Sequence, residues 1–457
     1  MGRLFGTDGA RGVANTEISC ELAMQIGRAA AMVLTEHTNE RPKVLIGMDT
    51  RASSQMLESA IAAGLCSVGA DVNLLGEIPT PAVAYLVRKY KYDAAIMISA
   101  SHNPCEYNGI KIFQSNGYKL PDALEEEIES IILDKSQIPP VKIGGEVGRI
   151  KRSRTAAVDY IKYLFGIAKD DLAENGILDF GGLKIAVDCS NGSASVTAPE
   201  LFMKLCENCF FMASHPNGTN INKNCGSTHL DVLQDFVVRN QCDAGLAFDG
   251  DADRFLAVDE KGQVVDGDKL IAIFAKYLKD KNKLKNNTAV VTVMSNMGFF
   301  KFCEENGIVC EKTKVGDRYV LENMLANGHS IGGEQSGHLI FLDHATTGDG
   351  QLSALKLLCI MKETGKKLSE LASQMEVFPQ VLVNVRVSDF GKAKFPRDKE
   401  IKTAIEAAEK ELGADGRVLV RVSGTEPLVR VMLEGKDEEK INVLAQEIVE
   451  VIKERLI

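Results

Sequence analysis

The sequence predicts an α/β protein with three similar α/β domains, whose sheets are mixed and mostly parallel, and a smaller C-terminal α+β domain, arranged around one central cleft. Three observations lead to this fold class. Strands and helices alternate in three successive stretches, each stretch ends in a polar, glycine-rich segment, and the last part of the chain follows another pattern. With 457 residues, the chain is long enough for several domains.

The three stretches follow one plan, in which an apolar strand, a helix, a second strand, another helix and a third strand succeed one another. The predicted strands are 44–48, 72–75 and 94–98 in the first stretch, 185–187, 210–212 and 244–248 in the second, and 290–294, 308–310 and 330–332 in the third. Alternating strands and helices predict crossover connections, and therefore mostly parallel sheets.

The remainder of the chain predicts a domain of another kind. A strand at 380–387, helices at 398–412 and 438–455, and two strands around a Ser-Gly-Thr turn at 423–425 indicate an α+β domain. We therefore expect domains at 1–154, 155–254, 255–370 and 371–457. The first boundary follows a basic stretch at 151–154 that has no helical or strand periodicity.

Composition excludes several classes of protein. The net charge of -10 disfavours a nucleic-acid binder, although a local cluster of arginine and lysine can still bind an anionic small molecule. The 11 cysteines are odd in number and scattered, which predicts reduced thiols in the cytoplasm. The N-terminus lacks the pattern of a signal peptide, and no apolar run approaches the roughly 18 residues of a membrane span, so no membrane association is expected.

Each predicted α/β domain places a polar segment directly after its third strand. These segments are 99–104, 249–254 and 332–338. Ligands of open α/β sheets bind beyond the carboxyl ends of the strands. Three such segments, one from each domain, therefore predict one shared cleft.

Asp249, Asp251 and Asp253 alternate in the second segment and indicate a site for a hard cation such as Mg²⁺. A solvated Asp-Gly turn is the simple alternative, but three such close carboxylates would repel one another without a cation. An EF-hand loop is a second alternative, because Glu260 falls at its twelfth position. Arg254, however, stands where that loop requires glycine.

Ser101 and His102 lie in the turn after the third strand of the first domain, where a nucleophile could be placed. A capping turn explains the same residues equally simply. Lys111 follows shortly after, and a lysine near other cations can have its pKa lowered and act in proton transfer, although most lysines are only solvated.

The C-terminal domain contains a second candidate anion site. Guanidinium groups, hydroxyl groups and exposed backbone N–H groups together suit a phosphate dianion. The residues that offer them are Arg421, Ser423, Gly424, Thr425 and Arg430. An ordinary hairpin turn explains this segment about as well.

Together, these segments resemble the α-D-phosphohexomutase superfamily of the phosphoserine type, and most closely its glucosamine phosphate branch. The resemblance covers nearly the whole chain, from Phe5 to beyond Arg430, with five motifs in the order of the family. The motifs are Phe-Gly-Thr-Asp-Gly-Ala-Arg-Gly at 5–12, the segment around Ser101, the aspartate segment at 249–254, Glu-Gln-Ser-Gly-His at 334–338, and the segment 421–430.

The resemblance implies a role for each matching residue around the transferring phosphoryl group. Ser101 would be the phosphorylated serine, and its phosphate would bind magnesium together with Asp249, Asp251 and Asp253. Arg11 and Arg254 would lie against the phosphoryl group, and His102 and Lys111 would transfer protons.

It also implies the residues that bind the rest of the substrate. Glu334 and Ser336 would bind sugar hydroxyls, and Lys314, Asp317 and Arg318 would face the sugar. Arg421, Ser423, Gly424, Thr425 and Arg430 would hold the phosphate that is not transferred. Val422 departs from the family, in which proline is expected before Ser-Gly-Thr.

The implied reaction interconverts glucosamine 6-phosphate and glucosamine 1-phosphate, for UDP-N-acetylglucosamine synthesis. The sugar would pass through a 1,6-bisphosphate, of glucosamine or glucose, that can also prime the enzyme, and the resemblance is compatible with a homodimer. Gln335, Asn222, Cys225 and Asp317 resemble the glucosamine branch.

Three other functions stay open at this point. The first is a phosphomannomutase/phosphoglucomutase of the same superfamily, and the second is a sugar-phosphate sensor without catalysis. The third is a phosphotransferase of the haloacid dehalogenase type with Asp249 as the nucleophile, although Asp253 stands where that motif usually has threonine or valine.

Overall fold

The computed structural model describes residues 4–6, 8–35, 41–423 and 427–457. Within this range the chain forms two compact units. The larger unit comprises residues 1–294 and 308–373, and the smaller one residues 295–307 and 374–457. Among the described residues, no helix is both long enough and apolar enough to span a membrane.

The strands of both units are numbered in chain order. They are β1 (Ala10–Val13), β2 (Lys43–Met48), β3 (Asp71–Glu77), β4 (Ala94–Ile98), β5 (Tyr107–Gln114), β6 (Ile150–Arg152), β7 (Lys184–Asp188), β8 (Asn208–Met212), β9 (Ala244–Phe248), β10 (Phe255–Asp259), β11 (Val264–Val265), β12 (Thr288–Thr292), β13 (Val309–Thr313), β14 (Ile331–Gly333), β15 (Leu339–Phe341), β16 (Gln380–Arg386), β17 (Gly416–Val422) and β18 (Leu428–Gly435).

The helices are numbered in the same way. They are α1 (Cys20–Thr35), α2 (Ser54–Ser67), α3 (Thr80–Tyr90), α4 (Asp122–Leu133), α5 (Ala156–Ala173), α6 (Ala194–Met203), α7 (Asp231–Arg239), α8 (Gly267–Asp280), α9 (Met297–Glu305), α10 (Asp317–Asn327), α11 (Gly350–Thr364), α12 (Leu368–Ala372), α13 (Asp389–Lys394), α14 (Lys399–Leu412) and α15 (Glu438–Leu456).

The larger unit contains three sheets in which four corresponding strands follow the same order. The orders are β1-β5-β4-β2-β3-β6, β11-β10-β9-β7-β8 and β13-β12-β14-β15. In each sheet the first predicted strand pairs in parallel with the second and the third, and the third pairs antiparallel with the strand that follows it. The predicted threefold repeat and its mixed, mostly parallel sheets are confirmed.

The strand after each polar segment is the main element that the sequence did not predict. β5, β10 and β15 turn back antiparallel beside β4, β9 and β14. In the second domain, β10 and β11 extend the sheet to Val265, so the expected junction between residues 254 and 255 falls within this sheet. The returning strand in the first domain brings Lys111 opposite Met97, next to the polar segment.

Close packing of two helices completes the core of the first domain. Apolar side chains of α1 and α2 join those of β2 and β4 in one buried cluster. A Cβ atom on Gly64 would lie 2.3 Å from the carbonyl oxygen of Met24, so the helices can approach this closely only with glycine here. The first sheet is thereby covered on this face.

The smaller unit is built on an antiparallel sheet of order β16-β18-β17. Apolar residues of α14 and α15 pack with this sheet in one core that includes Val431 and Ile448. Asp398 and Asp437 cap the two helices by accepting hydrogen bonds from backbone N–H groups of the first turn. The predicted α+β domain, with its strand, two strands around a turn and two helices, is confirmed.

Candidate active site

The three polar segments of the larger unit lie together. Arg254 and His338 form an isolated antiparallel bridge, which joins the second domain to the third. The backbone N–H of Thr80 donates to the carbonyl oxygen of Asp251 over 2.9 Å, and Nδ2 of Asn222 donates to the backbone carbonyl oxygen of Ser101 over 2.9 Å, so the first domain joins the second. One site therefore collects residues from all three α/β domains.

Ser101 occupies a strained and buried position in this site. Its φ of 54° lies in the left-handed region that serine seldom adopts, and only 1% of the residue is exposed. Its Oγ donates to Oδ2 of Asp249 over 2.6 Å and lies 3.3 Å from Nδ1 of His102. The hydroxyl is therefore directed at the first of the three aspartates.

Asp249, Asp251 and Asp253 form a buried cluster whose ligand oxygens all lie within 4.8 Å of one another. In the described part of the chain, Oδ1 of Asp251 and Oδ1 of Asp253 are buried without a hydrogen-bond partner. Burial, together with the charges of Asp253 and Asp251, raises the pKa of Asp249 well above its usual value. Such clustered carboxylate oxygens with spare capacity fit a divalent cation that prefers oxygen ligands.

Lys111 is buried against this cluster, with Nζ 2.7 Å from Asp251, 3.2 Å from Asp253 and 3.0 Å from Asp8. Burial alone would lower the pKa of Lys111, but the three carboxylates outweigh it and raise the pKa well above its usual value. The expectation of a lowered lysine pKa is therefore wrong here. The reason is that carboxylates surround the ammonium group more closely than other cations do.

Two arginines flank the cluster. Arg11 pairs with Asp8 through Nη2, and the backbone N–H of Arg254 donates to Oδ1 of Asp249 over 3.1 Å. The Nε groups of both arginines are buried without a hydrogen-bond partner among the described residues. These two N–H donors match what a phosphoryl oxygen requires.

His102 has the electrostatic character of a neutral imidazole. Burial, followed by the charges of Arg254 and Arg11, lowers its pKa to about 4. At neutral pH the ring is therefore uncharged and able to accept a proton.

Asp8, Lys119 and Asp317 form a chain of ion pairs that the sequence did not predict. Nζ of Lys119 contacts a carboxylate oxygen of both Asp8 and Asp317. Asp317 also lies 3.4 Å from Nε2 of His338. Asp317, expected to face the sugar, thus begins α10 within the charged cluster around Lys111. The motif at 5–12 includes Asp8 and gave a signal for it, but nothing local singled out Lys119.

The other residues expected to face the sugar occupy different surroundings. The guanidinium group of Arg318 bonds to the carbonyl oxygen of Leu120 and, over 3.0 Å, to Oε2 of Glu125, both in the first domain. Lys314 is exposed, with its Nζ 5.8 Å from the ring centroid of Tyr319. The structure therefore does not bring Lys314 and Arg318 to the aspartate cluster.

Residues 334–336 offer three polar side chains. Oε1 of Glu334 accepts from the backbone N–H of Gly316 over 3.2 Å, and burial raises the pKa of Glu334. Gln335 donates its amide to Oδ2 of Asp266 over 3.2 Å, and Ser336 is exposed. Gln335 therefore has a fixed amide nitrogen, and its amide oxygen is the acceptor that it can offer to a ligand.

In the smaller unit, Arg421 on β17 lies directly opposite Arg430 on β18. Burial, followed by the charge of Arg430, lowers the pKa of Arg421. Like charges directly opposite each other destabilise a sheet, so an anion between them would stabilise it. The backbone N–H of Ser423 closes the turn on Leu428 over 2.8 Å, while Gly424 and Thr425 lie outside the described residues.

Profiles of four protein domains match the chain in order. They describe phosphoglucomutase/phosphomannomutase α/β/α domain I at residues 2–138, domain II at 160–262, domain III at 266–378 and the C-terminal domain at 382–451.

Two similar proteins cover the whole chain. Phosphoglucosamine mutases from Acetivibrio thermocellus and Caldanaerobacter subterraneus are each 56% identical, with 100% of both chains covered.

Solved structures show the same fold. A phosphoglucomutase/phosphomannomutase family protein from Burkholderia thailandensis matches with a TM-score of 0.81 and 22% identity over 99% of this chain and 98% of the other. The Aspergillus fumigatus N-acetylphosphoglucosamine mutase, in complex with GlcNAc-6P and magnesium, matches with a TM-score of 0.64 and 15% identity over 99% of this chain and 96% of the other.

Proposed function

We infer that the chain, which belongs to the phosphoglucomutase/phosphomannomutase family and within it to the phosphoglucosamine mutases, has the activity of these enzymes. It is an isomerase that interconverts glucosamine 6-phosphate and glucosamine 1-phosphate, and it supplies the latter for UDP-N-acetylglucosamine synthesis. The observation that carries this proposal is the buried hydroxyl of Ser101, 2.6 Å from the first of three clustered aspartates.

In this mechanism Ser101 carries a phosphoryl group between turnovers. The C1 hydroxyl oxygen of glucosamine 6-phosphate attacks the phosphorus, the bond to Oγ breaks, and the sugar becomes a 1,6-bisphosphate. The bisphosphate turns end for end. Oγ of Ser101 then attacks the 6-phosphoryl group, and the bond to O6 breaks. Over one turnover the C1 hydroxyl loses one proton and O6 gains one. Oγ of Ser101 gains a proton when the phosphoryl group leaves and loses it when Oγ attacks the 6-phosphoryl group. The same bisphosphate, taken from solution, can prime an unphosphorylated enzyme.

Magnesium fits the aspartate cluster and, when bound, supplies neutralising charge for the transferring group. Asp249, Asp251 and Asp253 would hold it together with an oxygen of phosphorylated Ser101. Burial, together with repulsion from Asp253 and Asp251, raises the pKa of Asp249, and a bound cation would offset both effects.

The neighbouring side chains position the phosphoryl group and handle protons. Arg11 and Arg254 donate from their buried Nε groups to phosphoryl oxygens. His102, neutral at neutral pH, accepts a proton, while Lys111 stays charged and acts as a counter-ion to the carboxylates and the transferring group. Phosphoryl transfer depends mainly on such positioning and charge neutralisation.

Arg421 is proposed to anchor the phosphate that is not being transferred, with Ser423, Gly424, Thr425 and Arg430. Both ends of the bisphosphate carry the same group, so this clamp serves either orientation. We expect Arg421→Ala to weaken substrate binding by about 2–5 kcal/mol if the ion pair is desolvated in the complex. The apparent KM for glucosamine 6-phosphate in a coupled assay measures this effect.

Arg397→Ala provides the matched control for Arg421→Ala, because Arg397 is an exposed arginine of the smaller unit without an assigned role. Its KM should equal that of the wild type. An unchanged KM in Arg421→Ala would count against the phosphate clamp.

Glucosamine 6-phosphate is expected to have a higher kcat/KM than glucose 6-phosphate or mannose 6-phosphate. Glucosamine differs from glucose only in the ammonium group at C2, and a site that pairs this group with a buried acceptor can discriminate strongly. The amide oxygen of Gln335, whose nitrogen Asp266 holds, is one candidate acceptor. A coupled assay across the three sugars measures the order. A higher value for glucose or mannose phosphate would indicate the phosphoglucomutase/phosphomannomutase activity instead.

Gln335→Met tests the acceptor itself. A charged hydrogen bond contributes roughly 1.5–3 kcal/mol, so the preference for glucosamine over glucose should fall by about 10-fold or more. Gln55→Met, an exposed position on α2, is the control and should leave the preference unchanged. If the preference of Gln335→Met equals that of the wild type, Gln335 does not recognise the ammonium group.

We also expect the protein to act in the cytoplasm, because its cysteines are odd in number and dispersed along the sequence. A homodimer stays a prediction, which light scattering on the purified chain would check.

A further inference from the structure

Arg51 is a buried arginine in the loop that follows β2, and it has no role in the mechanism above. Its side chain is fully buried and pairs with Asp49 through Nε over 2.8 Å. Its two terminal nitrogens donate to four carbonyl oxygens of the loop that carries Ser101. These oxygens belong to Ser101, Asn103, Pro104 and Tyr107. All five N–H donors of the guanidinium group are thereby used.

Asp49 extends this network to the backbone N–H of Ser101. Its Oδ2 also accepts from Oγ of Ser99 over 2.7 Å, and that Oγ in turn accepts from the N–H of Ser101 over 2.9 Å. Asp49 and Arg51 therefore fix both backbone polar groups of Ser101, the N–H through Ser99 and the carbonyl oxygen directly.

Asn222, from the second domain, holds two of the same carbonyl oxygens. Its Nδ2 donates to Ser101 over 2.9 Å and to Asn103 over 3.0 Å. Arg51 donates to the same two oxygens over 3.0 and 2.8 Å. The carbonyl oxygens of Ser101 and Asn103 are thus each held from two sides by two domains.

The network explains how Ser101 keeps an unfavourable backbone conformation. A serine at φ 54° costs free energy and persists only where its surroundings fix it. A Cβ on Gly250 would lie 2.5 Å from the carbonyl oxygen of Ser101 and 2.9 Å from Nδ2 of Asn222, so the metal-binding loop closes over this contact only with glycine. Turning the backbone of Ser101 by even a small angle would move Oγ away from Asp249.

We propose that Arg51, supported by Asn222, is a positioning residue that holds the loop of Ser101 so that Oγ faces the three aspartates. The side chain of Arg51 is fully buried and donates to the carbonyl oxygens of the loop, so it acts on the hydroxyl group of Ser101 only through the backbone. This inference rests on the proposed function, because it assumes that Ser101 carries the phosphoryl group. A misplacement of about 1 Å at a reacting atom can cost about 100-fold in rate.

Arg51→Lys in the full chain tests the proposal, because lysine keeps the charge opposite Asp49 but cannot hold four carbonyl oxygens. We expect kcat for glucosamine 6-phosphate to fall by about 100-fold, with KM changed by no more than about 3-fold. Single-turnover transfer from phosphorylated enzyme to glucosamine 6-phosphate should slow by the same factor. Arg28→Lys is the matched control, since Arg28 lies in the same domain and its Nε donates to Oγ of Ser67 on α2.

Asn222→Ala is the second variant and keeps the test decisive if Arg51→Lys does not fold. It should lower kcat in the same direction with KM retained, and Arg28→Lys should leave both constants unchanged. Wild-type kcat in either variant would overturn the proposal, as would a loss confined to KM. A failure of the proposed function looks different, because the wild type would then show no phosphate on Ser101 by peptide mapping.

Discussion

Replacing Ser101 with alanine is expected to reduce kcat for glucosamine 6-phosphate by about 10⁴-fold or more. The variant lacks the oxygen that accepts and returns the phosphoryl group, and no second nucleophile shares the position 2.6 Å from Asp249 in the described part of the chain. A coupled assay of glucosamine 1-phosphate formation measures the loss. Intact-protein mass should show one phosphate on the wild type and none on the variant.

The control for this substitution is Ser59→Ala, which removes an exposed hydroxyl on α2 of the same domain. It should retain wild-type activity. An acid-stable phosphate on Ser101 supports the mechanism, since phosphoserine survives acid and base destroys it. An acyl phosphate on Asp249, labile at both extremes, would indicate the dehalogenase-type mechanism and contradict the role of Ser101.

Removal of the divalent cation is expected to have the second largest effect on turnover. EDTA should abolish turnover and Mg²⁺ should restore it, because a divalent cation contributes several kcal/mol of charge stabilisation to a transferring phosphoryl group. Asp251→Asn keeps the shape of the side chain but removes one charge, and it should lower kcat by about 10³-fold. The measurements are kcat against free Mg²⁺ and the binding of Mn²⁺ by electron paramagnetic resonance.

Asp235→Asn supplies the comparison for Asp251→Asn, because Asp235 is an exposed aspartate that pairs with Arg239 on one helix face. It should bind Mn²⁺ and turn over as the wild type does. Full activity of Asp251→Asn in the presence of EDTA would refute the metal site.

Much of the fold could be predicted because apolar strands and amphipathic helices alternate along the chain. The strands at 44–48, 94–98 and 244–248 were all located within a residue or two of their observed ends. β5 was missed because its buried residues include Asn108 and Lys111, whose polar side chains break the apolar pattern of a strand. Those polar residues are buried because the site requires them, so local propensity could not reveal the strand.

The candidate site likewise contains residues that the sequence could predict and residues that it could not. Ser101 and the three aspartates were accessible to sequence reasoning because they stand in short motifs directly after predicted strands. The contact between Lys119 and Asp317 joins residues 198 positions apart, and no local pattern encodes such a pair. Arg51 offers a weak signal, because Asp49-Thr50-Arg51 directly follows a buried strand. Its role depends on four backbone oxygens whose positions only the folded loop defines.

The most direct test of the account is a single-turnover experiment with enzyme that carries a radiolabelled phosphoryl group on Ser101. The purified, phosphorylated chain is mixed with unlabelled glucosamine 6-phosphate and Mg²⁺, and label is followed in the protein and in the sugar. We predict that label leaves Ser101 and appears in glucosamine 1,6-bisphosphate and glucosamine 1-phosphate, at a rate at least equal to kcat. Label that stays on the protein while unlabelled glucosamine 1-phosphate accumulates would contradict the account.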